Sequence, residues 1–428
     1  MIDRLYKAFL ASHCVTTDSR AISPGCLFFA FKGSNFDGNA FAPQALQQGA
    51  ELCVISDANY KVDDRYIVVP DVLATLQQLA REHRRHLSLP VIGITGTNGK
   101  TTTKELVHAV LSKRYRTSAT KGNFNNHLGV PLTLLSIPAD TEIAIVEMGA
   151  NHPGEIAFLC GIADPDCGLI TNVGRAHLEG FGSFEGVVKT KTELYRHLGA
   201  KQGLVFVNGD NERLIQEAKA LRTLVYGRTA KADVRGTLVG CDPYLHFYFE
   251  VGDNVYNVHS HLLGAYNFDN AMAAVAVGLH FGVEPFDIKE AIEEFVPSNN
   301  RSQFKRTEHN TLYLDCYNAN PSSMAVAIES FGQLQAEHKV AVIGGMHELG
   351  ADERKEHEQL VAELTAIHPD LCLLVGPEFD GISLQPYMQR FDDTDALKEY
   401  LKTNPVSGAT VLVKGSNTNR LWTLEELL

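Results

Sequence analysis

Val91-Ile92-Gly93-Ile94-Thr95-Gly96-Thr97-Asn98-Gly99-Lys100-Thr101-Thr102-Thr103 is the stretch around which the chain is organised. Its apolar opening predicts a buried strand, and a glycine-rich turn follows. Lys100 then opens a helix whose Leu106, Val107, Val110 and Leu111 share one face. Strand, glycine loop and helix in that order make a phosphate cradle, because small residues let backbone N–H groups converge on phosphate oxygens. Lys100 adds a point charge beside the β/γ-phosphates, and the Thr101 hydroxyl is suited to Mg²⁺. Gly96, Thr97, Asn98, Gly99, Lys100, Thr101 and Thr102 are therefore the candidate ATP-binding residues. The spacing departs from the strict P-loop pattern: Ile94 stands where the first glycine is expected, and the nearest upstream glycines are Gly93 and Gly96. The flanking strand and helix carry the ATP reading.

Working outward, 428 residues predict about three domains. A composition of 44% hydrophobic and 21% charged residues is ample for sizeable cores. The formal net charge of −13 argues against a nucleic-acid partner, which needs a basic face, but leaves anionic small substrates open. The eight cysteines are scattered without a C-x-x-C pair and read as reduced core thiols. No apolar run approaches a membrane span and no basic-then-apolar leader opens the chain, so no membrane insertion and a cytoplasmic location are expected.

Residues 1–87 form a first unit, with strands expected at 26–31, 52–55 and 66–69, a glycine-capped helix over 41–49 and a helix over 72–87. His83 and His86 are read as part of a solvated basic face of that last helix. The polar loops Thr17-Asp18-Ser19-Arg20 and Lys32-Gly33-Ser34-Asn35 allow two readings, ordinary turn chemistry or ligand contact.

Residues 88–297 form a second unit. Its strand at 143–147 ends on Glu147, an acid placed for Mg²⁺ in a sheet that presents its phosphate loop at the same edge. Residues 120–127, which include Asn125 and Asn126, are too polar for a core. A strand at 168–173 carries Asn172 and leads to His177; a helix over 187–193 carries Lys189 and Lys191; a strand at 203–207 follows. The alternation predicts a largely parallel sheet, interrupted over 232–262 by an antiparallel appendage. Asn267 and Asn270 share a face at the start of an alanine-rich helix, where they cap it or read an adenine edge. Pro297-Ser298-Asn299-Asn300 is a linker into a third unit, 298–428, with strands at 312–315, 340–345, 371–376 and 410–415, each ending in glycine or a charged residue, as in a Rossmann-like domain. Gly344-Gly345 does not complete a dinucleotide fingerprint. The fold class is α/β in three domains: an N-terminal α/β domain, a central P-loop ATPase-like domain and a C-terminal Rossmann-like domain.

Several separated motifs together resemble the Mur ligases, ATP-dependent amide-forming enzymes of peptidoglycan precursor synthesis. They are the Thr95–Thr101 loop, Glu147-Met148-Gly149, His177 after Asn172-x-Gly174-x-Ala176, and a lysine a little beyond. Asp315-Cys316-Tyr317-Asn318-Ala319-Asn320-Pro321, Gly345-Met346-His347-Glu348-Leu349-Gly350 and Gly122-Asn123-Phe124-Asn125-Asn126 are most similar to the members that join D-alanyl-D-alanine to UDP-N-acetylmuramoyl-tripeptide. The Asp-Asn-Pro-Arg of third-residue-adding members and the Ala-His-Asn-Pro of folylpolyglutamate synthases do not occur.

The resemblance implies transfer of the ATP γ-phosphoryl to a carboxylate and amine attack on the acyl phosphate. It also implies two Mg²⁺ ions, one held by Thr101 and Glu147, the other by His177 and a carbamylated lysine. Lys191 fits that lysine better than Lys189, because it precedes Thr192-Glu193. Lys100, Glu147, His177 and Lys191 are then catalytic. Asn267 and Asn270 contact the adenine region, and Arg301 and Asp315 the γ-phosphate and ribose. Thr17, Asp18, Ser19, Arg20, Lys32, Gly33, Ser34 and Asn35 meet the uridine diphosphate, and Asn125, Asn126 and Asn172 the muramoyl peptide. Asn318, Asn320 and Ser322 take the incoming dipeptide. Tyr266, Asn39 and Asn417 stand where the family usually has His, His and Arg. A monomer is expected. The rival readings are another Mur-type or folylpolyglutamate-type amide ligase and, from a different class, a P-loop ATPase switch.

Overall fold

The computed structural model describes residues 1–12, 14–297 and 302–428, and these build three sheets. Arg301 and all but Pro297 of the expected linker lie outside the described residues. In the first sheet Val15–Thr16, Leu27–Phe29, Leu52–Ile55 and Tyr66–Val68 run parallel in chain order. The three expected strands form; Val15–Thr16 is too short to leave a period in the sequence.

Helix Val72–His86 backs this sheet and corrects one expectation. His83 is buried, with its ring edge-on to Phe9 at 4.8 Å, rather than solvated. The apolar stripe of Leu76, Leu79 and Ala80 continues into His83 at helical spacing, and helix Ile2–Ser12 covers it. Arg84, from the same basic run, is buried too. Its guanidinium donates to the carbonyls of Ala163 (2.9 Å), Leu87 (3.1 Å) and Asp164 (2.8 Å) and to the Asp166 carboxylate (2.8 Å), fastening the first unit to the second. Arg84→Ala should therefore destabilise the protein by about 2–4 kcal/mol, because it strands a carboxylate and several carbonyls. Thermal unfolding reads this as a fall in Tm, and an unchanged Tm contradicts it.

The cysteine reading is also corrected. Cys14 and Cys26 form a disulfide, with Cα atoms 4.6 Å apart, because Leu27 pairs with the end of the preceding segment through its N–H to the Cys14 carbonyl. Cys53, Cys160, Cys167, Cys316 and Cys372 are buried free thiols, each pushed by that burial up to about 12.

The second sheet has nine strands. From one edge they are Thr117–Ala119, Ile143–Glu147, Val91–Thr95, Cys167–Ile170, Leu204–Asn208, Arg222–Gly227 and Val234–Cys241, all parallel; Tyr244–Val251 and Asn254–Leu263 then continue antiparallel. The expected antiparallel segment is thus hydrogen-bonded onto the same sheet. Val91–Thr95 is buried at every residue, as an inner parallel strand covered on both faces must be. Helices Lys100–Ser112 and Asn267–His280 pack closely together on one face, which explains the run of alanines in the second. At Gly278 even a Cβ would come within 2.5 Å of Val110 Cγ1.

In the third sheet Gln303–Arg306 is an antiparallel edge, followed by parallel Thr311–Asp315, Thr410–Lys414, Lys339–Gly344, Leu371–Val375 and Met388–Phe391. One apolar cluster runs from Leu5 and Phe9 through Val91, Leu134 and Val207, so the first and second units share a core. The third has its own cores and meets the second across a largely polar seam. No helix among the described residues is long and apolar enough to cross a membrane.

Candidate active site

A cavity of about 670 Å³ opens on that seam. Its floor is the phosphate loop. Gly96 and Gly99 both have positive φ (148° and 77°), and neither tolerates a side chain. A Cβ on Gly96 would lie 1.9 Å from Thr171 Oγ1, and one on Gly99 would lie 2.5 Å from Asn270 Oδ1. The irregular glycine spacing therefore marks where Thr171 and Asn270 press on the loop. Gly99→Ala should keep the fold and weaken nucleotide binding about 5–150-fold, given a strain of about 1–3 kcal/mol in the loop; titration calorimetry with ATP checks this, and unchanged affinity contradicts it.

Asn172 locks the loop from below. Its Oδ1 accepts from the Asn98 N–H (3.0 Å) and its Nδ2 donates to the Asn98 carbonyl (3.0 Å), while its own carbonyl accepts from the Thr97 N–H (3.0 Å). Lys100 Nζ donates to the carbonyls of Gly96 (2.8 Å) and Thr97 (3.0 Å), so its charge sits over the cradle.

Glu147 lies beside the loop because its strand pairs with Val91–Thr95, Ile94 opposite Glu147. It is buried. Oε1 accepts from Asn125 Nδ2 (2.7 Å) and Thr101 Oγ1 (3.3 Å), and Oε2 is buried with no hydrogen-bond partner among the described residues. A buried carboxylate oxygen without a donor, next to a hydroxyl, is the hard oxygen set that suits Mg²⁺. The described residues hold no cluster of three His, Cys, Asp or Glu side chains arranged for a metal. His177 also lines the cavity, in a left-handed backbone turn, with Nδ1 hydrogen-bonded to the Glu348 carboxylate of the third unit. Burial pushes its pKa down, and Glu348 opposes the shift.

The two candidate lysines separate cleanly. Lys189 is exposed; Lys191 is buried, its Nζ donating to the Ala150 carbonyl (3.2 Å) and lying 5.4 Å from the Phe181 ring centre. Burial above all, and then the charge of Lys100, hold the Lys191 pKa well below the ordinary lysine value. Such an amine is biased toward its neutral, nucleophilic form.

Asn267 and Asn270 line the cavity with their amides already engaged. Asn267 Nδ2 donates to the Leu263 carbonyl (2.6 Å), Asn270 Nδ2 to Asn267 Oδ1 (2.7 Å), and Thr103 Oγ1 to Asn270 Oδ1 (3.0 Å). This braces the helix start against the phosphate-loop helix. Asn126 Oδ1 accepts from the Leu128 (3.1 Å) and Gly129 (2.9 Å) N–H groups, ordering the turn after the amide-rich run.

From the third unit, Asp315 accepts from the buried Lys414 ammonium and from the Ser302 N–H. Asn320 exchanges an amide contact with Asn98 (2.8 Å for Asn320 Nδ2 to Asn98 Oδ1) and caps helix Pro321–Gln333. Ser322 Oγ accepts from the Arg175 N–H (2.8 Å), and Arg175 pairs with Glu356. Asn318, Ser322 and Lys414 face the same cavity as the phosphate loop. Sequence reasoning passed over Lys414, although a charged residue ending an apolar strand was the signal that singled out Glu147.

Thr17, Asp18, Ser19, Arg20, Lys32, Gly33, Ser34 and Asn35 do not line this cavity. They follow the carboxyl ends of the first sheet's strands. Asp18, held at about 2 by hydrogen bonds from Arg20, and Lys32 with Asp37 (3.6 Å) form local turns there.

Comparison with known proteins bears on this geometry. Three family descriptions match in succession: "Mur ligase family, catalytic domain" over 11–84, "Mur ligase middle domain" over 94–278, and "Mur ligase, glutamate ligase domain" over 300–417. The UDP-N-acetylmuramoyl-tripeptide–D-alanyl-D-alanine ligase of Bacillus subtilis is 36% identical, over 96% of this chain and 91% of its own length. The chain belongs to the Mur ligase family. Among solved Mur ligase structures, MurF from Acinetobacter baumannii superposes with a TM-score of 0.86 at 31% identity, covering 96% of this chain and 92% of that one. MurF ligase from Thermotoga maritima, solved in complex with ADP, superposes with a TM-score of 0.85 at 30% identity, covering 97% and 96%.

Two departures from the usual Mur ligase residues have a structural explanation. Tyr266 hydrogen-bonds Ser302 (2.7 Å) and Tyr313 (2.9 Å), tying the second unit to the third at the cavity wall. Asn39 is buried, its Oδ1 accepting from the Ser56 N–H (2.9 Å) and its Nδ2 donating to Asp37 Oδ1 (2.6 Å), so it shapes the loop. Nothing in the structure explains Asn417.

Proposed function

We propose that this chain is the ATP-dependent ligase that joins D-alanyl-D-alanine to UDP-N-acetylmuramoyl-tripeptide, giving the pentapeptide, ADP and phosphate, in peptidoglycan precursor synthesis. The observation that carries the reading is a single cavity in which a phosphate cradle with Lys100, the buried Glu147 carboxylate and His177 face Asp315, Asn318 and Ser322 of a separate unit. A P-loop switch has no need of an acceptor sheet apposed to its nucleotide.

A free carboxylate is a poor electrophile. The tripeptide carboxylate therefore attacks the γ-phosphorus, ADP leaves, and a mixed acyl phosphate forms. The dipeptide amine then attacks the acyl carbon, its proton is lost, and phosphate departs as the amide forms. Such chemistry is mainly positioning and charge neutralisation. Gly96, Thr97, Asn98, Gly99, Thr101 and Thr102 cradle the phosphates, and Lys100 neutralises them. Asn267 and Asn270 shape the adenine side, and Asp315 the ribose side. Thr101 and Glu147 hold one Mg²⁺; His177 and Lys191 hold a second. When bound, the ions draw charge off the transferring phosphoryl group. For its part, the neutral Lys191 amine adds to CO₂, forming an N–C bond and releasing a proton, and so becomes an oxygen donor. Asn125, Asn126 and Asn172 meet the muramoyl peptide, and the Thr17–Arg20 and Lys32–Asn35 loops the uridine diphosphate. Asn318, Asn320 and Ser322 face the incoming dipeptide.

We assign residues 1–87, 88–297 and 298–428 as working domains, one per sheet, acting as a monomer in the cytoplasm where ATP is made. The test is to incubate purified protein with ATP, Mg²⁺, D-alanyl-D-alanine and, in parallel, UDP-muramoyl-tripeptides ending in lysine or diaminopimelate. Phosphate release that requires both co-substrates, with pentapeptide by mass, is expected. Phosphate release independent of both, without pentapeptide, selects the switch.

A further inference from the structure

Residues 172–179 run between the second and third units. On one side the segment grips the phosphate loop: the Asn172 carbonyl accepts from the Thr97 N–H (3.0 Å), and the Gly174 N–H donates to Thr97 Oγ1 (3.0 Å). On the other side it meets the third unit. Ser322 Oγ accepts from the Arg175 N–H (2.8 Å), His177 meets the Glu348 carboxylate, and the Glu179 N–H donates to the Glu348 carbonyl (3.4 Å). Gly174 is pressed between the two, since a Cβ there would come within 2.8 Å of Ser322 Oγ. Arg175, next in the chain, does not line the cavity. Its side chain goes elsewhere.

The Arg175 guanidinium reaches across to the Glu356 carboxylate of the third unit. The two ends of this pair differ. The Arg175 side chain is 44% exposed, whereas that of Glu356 is 4% exposed, and among the described residues Arg175 is the cation that pairs with it. Glu356 also stands on a rigid mount, in the first turn of helix Glu353–Ile367. Its neighbour His357 is fully buried, with Nε2 accepting from the Met346 N–H (3.0 Å) and Nδ1–H donating to the Glu353 carbonyl (2.8 Å). An ion pair between two exposed groups is worth little, but a buried carboxylate is costly to leave without its cation. Docking of the third unit on the segment is therefore coupled to Arg175, two residues from His177.

We propose that Arg175 is a positioning residue for ligation: paired with the buried Glu356, it fastens residues 172–179 to the third unit and so fixes that unit in register with the phosphate loop and His177. The inference rests on the ligase reading and adds to it a pair of side chains outside the cavity. Arg175 acts through the segment that carries it, and Glu356 is the point on the third unit that receives its charge.

Charge exchange in the full chain tests this, with Arg175→Glu, Glu356→Arg and the double variant that carries both. Each single change sets like charges face to face. It should lower kcat/KM for D-alanyl-D-alanine about 10–150-fold, the range for hydrogen bonds to charged groups, while KM for the UDP-tripeptide, bound mainly by the first unit, stays put. The double variant should recover most of the loss, because the two side chains meet directly. Small-angle scattering with ADP and Mg²⁺ reads the same order without activity: a larger radius of gyration in each single variant and a return toward wild type in the double. If Glu356→Arg is poorly folded, Arg175→Ala against Arg175→Ala/Glu356→Gln decides, the first losing activity and the second regaining it. Wild-type kinetics in the single variants, or equal loss in single and double, overturns the proposal. Absence of any dipeptide-dependent product from the wild type overturns the ligase reading instead, and scattering then still decides whether the pair holds the units together.

Discussion

Lys191→Ala abolishes ligation, and formate or acetate restores part of it. This is the expected result if the buried lysine works as a carbamate. At 2% exposure, with the Ala150 carbonyl at 3.2 Å as its hydrogen-bond acceptor, the side chain has almost no aqueous compensation for a positive charge. Burial and the nearby Lys100 charge both favour the neutral amine. Truncation to alanine leaves a space beside Phe181 in which a short carboxylic acid supplies the oxygens that the carbamate would have brought. Loss of turnover by about 10³-fold or more is expected, with partial rescue saturating in added acid. Lys189→Ala, at an exposed position, should be near wild type. Rescue at Lys189 and none at Lys191 would show that the wrong lysine is assigned. A near-native Tm for Lys191→Ala separates loss of chemistry from loss of fold.

Lys100→Ala should be as severe, by a different route. Its ammonium bridges the Gly96 and Thr97 carbonyls and holds the only formal positive charge among the phosphate-loop residues. Removing a donor from the place where charge shifts in a phosphoryl transfer costs about 10²–10³ in rate. The Lys100 charge also helps to lower the pKa of both His177 and Lys191, so its removal raises both and leaves less neutral amine at Lys191. Single-turnover γ-phosphoryl transfer reads the effect; turnover at the wild-type rate refutes the assignment of the loop.

The parts of the site that were legible in the sequence are those in which one local pattern carries both structure and chemistry. The strand, glycine turn and Lys-Thr helix start place Lys100 and Thr101 wherever the fold goes, and an acid ending an apolar strand places Glu147 beside them. Edge strands were harder, because short segments such as Val15–Thr16 and Thr117–Ala119 bury too little to leave a period. His83 was misread because a run of basic residues masks the continuation of a helical stripe, and burial there is decided by the distant helix Ile2–Ser12. Lys189 and Lys191 are two apart on one helix, and only tertiary packing buries one and exposes the other. Lys414 meets Asp315 from a strand far along the chain, a pairing that exists only after folding, and Arg301 lies outside the described residues.

The central claim is that ATP activates a carboxylate and that a dipeptide amine, rather than water, collects the acyl group. Oxygen transfer tests it most directly. UDP-muramoyl-tripeptide with ¹⁸O in its terminal carboxylate is incubated with the protein, ATP, Mg²⁺ and D-alanyl-D-alanine, and the phosphate released is analysed by mass. Since the acyl phosphate keeps one carboxylate oxygen as its bridge, and amine attack breaks the bond from carbon to that oxygen, the account predicts one ¹⁸O in each phosphate for every pentapeptide formed. Unlabelled phosphate, with the label retained in the tripeptide, would contradict it.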